Sequence, residues 1–279
     1  MRNFLCLILL SLALAPLAVG QNSTPAPAPD PTLVQRALAA ELRAAQDTSH
    51  PMQYQLHKWS PRLTTTKNMV ETMGGTVALL VALNGQPLDA AQRQKEQNRL
   101  QGLLADPGKQ RHRELAQEQD TARALKVLRA LPRAFIYRYV GRTTANGIVV
   151  ERFAFTPNPG FNAPDLETQV LTALSGEIWI DPVSVRVAHL EGRLVQDVDF
   201  GWGILGRLYK GGWITIDHAD VGGGVWRVVR FQMNMSARVV FKTRTFETSE
   251  ETSHFVTVPA GLDYRQGIAL LEKTAASGQ

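Results

Sequence analysis

The stretch that most restricts how this chain can fold is residues 174–200, LSGEIWIDPVSVRVAHLEGRLVQDVDF. Two extended runs, 177–180 and 183–190, flank Asp181-Pro182. Proline has no amide hydrogen to give a ladder, and its fixed φ suits a turn. Ile178 and Ile180 before that turn, and Val185 and Val187 after it, fall on alternate positions, while Glu177, Asp181 and Arg186 fall outside the set. Period-two alternation marks an antiparallel sheet with one dry face and one wet face.

The C-terminal half repeats this pattern. Further strands are expected at 134–140, 148–155, 212–216, 225–235, 238–246 and 254–258, with turns at Ala145-Asn146-Gly147, Glu191-Gly192 and 221–224. Within 225–235, Val229, Phe231, Met233 and Met235 share one face, and Arg230, Gln232 and Asn234 the other. Consecutive hairpins make a meander whose apolar face must curl or be covered. No helix of matching size occurs among these strands, so the cover is expected from the segments before Pro132.

Those segments begin with a leader. Met1-Arg2-Asn3 is followed by an apolar run over 4–18 and by Ala18-Val19-Gly20, the small residues a signal peptidase reads, which places cleavage before Gln21. The run is short beside the ~20 residues of a membrane span. Cys6, the single cysteine, lies inside this leader. The exported chain is therefore expected to lack disulfides and to work in the periplasm. Residues 21–31, rich in proline and alanine, read as an extended tether.

Thr32 reads as the N-cap of an amphipathic helix over 33–46, with Leu33, Val34, Ala37, Leu38 and Leu42 as its apolar positions. Strands follow at 52–59, 64–72 and 76–83, the last ending in Asn84-Gly85, a hairpin signal. A polar segment, 89–131, then reads as two helices broken at Pro107-Gly108. The first is expected to be solvated. The second carries a Leu125, Leu128, Leu131 stripe fit for docking. The pair reads as surface helices or as a lid. The domain plan is a leader at 1–20, a tether at 21–31, one half-barrel domain at 32–263 with its insertion at 89–131, and a C-terminal tail at 264–279.

Chemistry-bearing patterns are sparse. The net charge of +5 is scattered, with no basic patch or motif for nucleic acid, and peripheral contact with anionic membrane surfaces is the most it suggests. The six histidines show no metal-ligand spacing, and His218 between Asp217 and Asp220 reads as a polar turn. Asp197 and Asp199 share a strand face, a pattern that paired-carboxylate hydrolysis can use, but they precede Gly201-Trp202-Gly203 and read as solvent-facing. An envelope hydrolase would use Asp197, Asp199 and His218. No metal or cofactor is expected. The remaining signal is apolar: Ile178, Ile180, Val185, Val187, Trp202, Trp213, Val229, Phe231, Met233 and Phe241 are the candidates for lining a cavity under a curled sheet. Each is also an ordinary core residue in its own right.

The phrase Leu174-Ser175-Gly176-Glu177-Ile178-Trp179-Ile180-Asp181, with the strand after it, resembles the LolA/LolB/RseB-like superfamily of periplasmic lipoprotein carriers and sensors. The turn Asn84-Gly85-Gln86-Pro87-Leu88 before a charged helix is similar to export-linked relatives. The resemblance implies an α+β fold, a curled antiparallel sheet forming an incomplete barrel covered by helices. It also implies an apolar concavity for acyl chains, and so a non-enzymatic periplasmic binding protein. Its partners would be an apolar ligand or an acylated protein, with a second envelope protein as a further partner. The lid-latching arginine of such carriers has no matching position here. Sensor and scaffold roles stay open beside the carrier role.

Overall fold

The computed structural model describes residues 30–200, 206–239 and 242–277. Helix α1 (Leu33–Ala44) buries Leu33, Val34, Ala37 and Leu38 on one face. Strands β1 (Met52–Trp59), β2 (Thr65–Thr72), β3 (Gly75–Leu83) and β4 (Gln86–Pro87) follow, then helices α2 (Ala90–Ala105) and α3 (Pro107–Ala134). The chain continues through β5 (Phe135–Ala145), β6 (Ile148–Pro157), a short α4 (Leu166–Gln169), β7 (Leu174–Asp181), β8 (Arg186–Leu194), β9 (Val198–Phe200) and β10 (Gly206–Leu208). It ends with β11 (Trp213–Asp220), β12 (Trp226–Val239), β13 (Lys242–Thr257) and α5 (Tyr264–Ser277).

All thirteen strands belong to one antiparallel sheet, ordered β4-β3-β2-β1-β13-β12-β11-β8-β7-β6-β5, with β10 and β9 branching from β12. The two ends do not pair, so the barrel is open. The sheet is nevertheless curled, and α3 touches β3 near one end of it and runs directly into β5 at the other. At 1.5 Å per residue that helix is about 40 Å long. Asp106 caps it, accepting from the amides of Gly108 and Lys109, and Pro107 fills the first turn, where no amide hydrogen is needed. Pro132 sits in its last turn, two residues before the helix gives way to β5.

The hairpins at Asn84-Gly85 and Asn146-Gly147 have positive φ at both central residues (50° and 77°, 50° and 79°), the backbone that Asn-Gly pairs accept most readily. In the 174–181 phrase, Gly176 pairs with Gly192 on β8. A Cβ on Gly176 would fall 1.9 Å from the Glu191 carbonyl oxygen, so the close backbone approach requires glycine there.

Several expected elements differ. Of the runs expected at 238–246 and 254–258, residues 238–239 end β12, while 242–246 and 254–257 belong to one strand, β13, because its polar Glu-Thr-Ser-Glu-Glu-Thr-Ser centre pairs with β12 on one side and with β1 on the other. The strand expected from 183 starts at Arg186, since residues 182–185 are the turn, with Val185 at φ 56°. Asp217-His218-Ala219-Asp220 is not a turn but the end of β11, held in the ladder by its pairing with β12. Residues 264–277 are not a tail. Asp263 and Gln266 form reciprocal backbone caps, and Ile268 and Leu271 are fully buried.

The sheet is also dry on opposite faces at its two ends. Residues paired directly across antiparallel strands share a face, and Ile178, Leu190, Ile216, Phe231, Glu250, Lys58 and Thr65 form one such row. On this concave face α1 and the C-terminal part of α3 cover the main core, which includes Ile178, Ile180, Val187 and Phe155. Val70, five residues beyond Thr65 on β2, points to the other face. There it packs with Val77, Leu100, Ile268 and Leu271 in a second core. The cover therefore does not come only from segments before Pro132, because α5 roofs β2 and β3 from the convex side.

The insertion is less solvated than its composition suggests. β4 pairs only with Ala82 and Leu83, leaving the earlier part of β3 as a free edge. Side chains of α2 and α3 satisfy that edge. The Leu80 amide donates to Glu96, Arg99 donates to the Ala78 carbonyl, Gln117 accepts from the Thr76 amide, and Gln117 and Arg113 each donate to the Thr76 carbonyl. Glu96 is 7% exposed and Gln110 is 3% exposed. An open β edge is a template for unwanted pairing, and these residues close it.

Candidate functional site

Between the concave face and its helices lies a cavity of about 860 Å³. Strand β8 contributes Val187 and Leu190, and β11 contributes Ile216 and His218, two apart and so on one face. Helix α1 adds Leu38, Glu41 and Ala44, spaced three apart, with its C-cap Ala45 beyond them, and α3 adds Leu128 and Leu131. The far wall is the β2–β3 hairpin, from Glu71 to Thr76.

A bulge shapes one wall. Asp217 pairs with Arg230 but His218 pairs with Val228, so Val229 is the extra residue on β12. Val228 therefore sits opposite His218 and faces the cavity, and Trp226 lines the wall beyond it.

The wall also carries charge. Arg186 donates from Nε and Nη2 to the two Glu41 oxygens at 2.8 and 2.9 Å, and the Val187 amide donates to the same carboxylate at 2.9 Å. The Arg186 guanidinium lies 5.8 Å from the Trp226 ring centre. Arg227 donates to the His50 carbonyl at 2.8 Å and lies 3.6 Å from Glu71. Hydrogen bonds from the Ser49 hydroxyl and amide, with His50 beside them, hold the Asp47 carboxyl down at about 2. His218 is different. Its Nδ1 is buried with no hydrogen-bond partner. Burial pushes its pKa below the usual 6.5; Arg186 acts in the same direction, and Glu41 and Asp217 oppose it. A buried polar atom left unpaired costs ~1–3 kcal/mol.

The candidate apolar residues scatter around this cavity. Val187 lines it. Ile178 and Ile180 lie in the core, and Val185 and Met233 pack against that core. Phe231 is half-buried on the concave face, opposite Ile216. Trp213 lines a separate small depression with Gly176, Glu191 and Arg193. Val229 is the bulge residue, and Trp202 and Phe241 lie outside the described residues. The helical contributions, and the pair Glu41–Arg186 above all, were not legible as a site. Leu128 and Leu131 were visible only as a docking stripe.

The hydrolase candidates do not converge. Asp199 accepts from Arg207 at 2.5 and 3.0 Å, and Asp197 lies 3.5 Å from the same arginine, away from His218 in the cavity. Among the described residues no group of three or more His, Cys, Asp or Glu is placed to hold a metal ion, and no helix is long and apolar enough to cross a membrane.

No protein-family model matches the chain, and no curated protein matches it either. Among solved structures it is similar to a putative outer membrane lipoprotein-sorting protein domain from Vibrio parahaemolyticus, at 10% identity and TM-score 0.33, covering 85% of this chain and 97% of that one. A LolA superfamily protein from Nitrosomonas europaea gives 10% identity and TM-score 0.31, with 82% and 96% covered. A DUF1329 family protein from Desulfovibrio piger gives 10% identity and TM-score 0.31, with 87% and 99% covered.

Proposed function

We propose that this is an exported, non-enzymatic binding protein of the periplasm that shelters an acyl chain or similar apolar group between its curled sheet and helices α1 and α3. The observation that carries this reading is the cavity. Its 860 Å³ lies within the ~300–1,000 Å³ typical of small-molecule sites. Leu38, Leu128, Leu131, Val187, Leu190 and Ile216 give it the apolar wall on which an acyl chain loses its contact with water. The leader and the LolA-like phrase support export and envelope-lipid handling. An acylated protein is a ligand of the same chemistry.

The test is direct. Native mass spectrometry of the gently purified mature chain should show a lipid-sized adduct, and the delipidated protein should take up a fluorescent fatty-acid analogue. Ala44, on the cavity face of α1, offers the control: Ala44→Trp should abolish uptake while leaving the melting temperature within a few degrees of wild type. A delipidated protein that takes up no probe, or a tryptophan variant that takes it up normally, would remove the support for this reading.

A further inference from the structure

Strand β13 outruns its neighbour β1 at one end of the sheet. Trp59, the last residue of β1, pairs with Ser249, so residues 242–248 run on with only β12 beside them. That is about 20 Å of strand. Its register sets Lys242, Arg244 and Phe246 opposite Val239, Ala237 and Met235, all on the face that carries the main core. Thr243, Thr245 and Glu247 take the other face. Lys242, Arg244 and Phe246 are all exposed, the ring at 45%. The β1–β2 turn lies at the same end and adds Arg62 and Leu63, both exposed. Among the described residues, neither Lys242, Arg244 nor Arg62 has an ion pair or a side-chain hydrogen bond. The carboxylates around them are engaged or turned away. Glu250, on the same face, accepts from Lys58 at 2.6 Å, Asp199 is held by Arg207, and Glu247 is on the other face.

We propose that this end of the sheet is a docking surface for an anionic phospholipid bilayer, with Lys242, Arg244 and Arg62 against the lipid phosphates and Phe246 and Leu63 at the head-group boundary. Lysine and arginine are drawn to a negatively charged membrane surface, and an apolar side chain beside them gains by leaving water where head groups meet acyl chains. Charge complementarity selects the bilayer over a second copy of this chain, because two such edges brought together would set like charges against one another. The cations alone would suit an acidic protein as well, and the exposed Phe246 and Leu63 favour lipid. None of these five residues lines the cavity, so the surface stands or falls separately from the acyl-site reading.

The experiment is flotation of the mature chain with vesicles of equal parts phosphatidylglycerol and phosphatidylcholine, and with vesicles of phosphatidylcholine alone. At low salt the wild type should partition onto the anionic vesicles about ten-fold more strongly than onto the neutral ones, and about 0.5 M salt should abolish the difference by screening. The double variant Lys242→Gln, Arg244→Gln should lower binding to anionic vesicles about ten-fold, with the melting temperature and the uptake of a fluorescent fatty-acid analogue both unchanged. The chain after residue 20 has no cysteine, so a single environment-sensitive dye can report on depth. On Phe246→Cys the dye should brighten with anionic vesicles. On Val183→Cys, at the exposed tip between β7 and β8 at the opposite end of the sheet, it should not. Equal binding to both vesicle types, a glutamine double variant that binds like wild type, or a dye response at Val183 as large as at Phe246 would each overturn the proposal. Binding to soluble polyglutamate with none to vesicles would overturn it too, and would mark an acidic protein as the partner. None of these results depends on whether the cavity holds an acyl chain.

Discussion

Arg186 at the start of β8 and Glu41 near the end of α1, 145 residues apart in sequence, form a two-pronged ion pair at 2.8 and 2.9 Å with both side chains largely buried. This contact docks the N-terminal helix on the sheet and closes one side of the cavity. Arginine suits the role because its planar fork meets both carboxylate oxygens at once.

Breaking the pair from one side strands a buried charge. Glu41→Ala is expected to destabilise the fold by about 3–5 kcal/mol, measured by urea unfolding. The double variant Glu41→Leu, Arg186→Met removes both charges together and should recover much of that loss. Equal destabilisation in the single and double variants would show that the charge pair does not anchor α1.

The edge of β3 gives a prediction about association. Glu96 and Gln117 supply side-chain partners to the Leu80 and Thr76 backbone groups. With both changed to alanine, that edge is open, and the protein should form dimers or larger species that scale with concentration in size-exclusion chromatography. A strictly monomeric double variant, at concentrations where wild type is monomeric, would show that the edge needs no cover.

The neutral, buried His218 links stability to pH. Its folded-state pKa lies below the 6.5 it has when unfolded, so the unfolded chain binds the proton more readily. Its contribution is complete above pH 6.5 and is lost as the pH falls through the lowered value. The difference in unfolding free energy between wild type and His218→Phe should therefore shift toward the variant on going from pH 7.5 to 5. A difference that stays constant over that range would place the ring outside the cavity wall.

The last helix is a structural element. Leu271 is 0% exposed in the convex-side core with Val70, Val77 and Leu100. Leu271→Ala should cost about 2–5 kcal/mol in chemical unfolding, the range for a buried leucine. A change under 0.5 kcal/mol would mean that α5 does not belong to the cooperative unit.

Local chemistry alone was enough to reveal the strand and turn character of the chain. The alternation at Ile178 and Ile180, the Asn-Gly hairpins, the Pro107 helix start and the Gly176 in its tight phrase each follow from the backbone preference of one or two residues. The capping pair Asp263 and Gln266, with Ile268 and Leu271 behind it, carries a local helix signal that the reading of 264–279 as a tail passed over. What tertiary structure decided was pairing and facing. The polar centre of β13 is a central strand only because β1 and β12 arrive on either side of it, and the bulge at Val229 exists only where β12 pairs with β11. The site belongs to the same category. Glu41, Leu128, Arg186 and His218 come from four separate elements, and sequence distance holds no record of which side chains a curled sheet and its helices bring to one cavity.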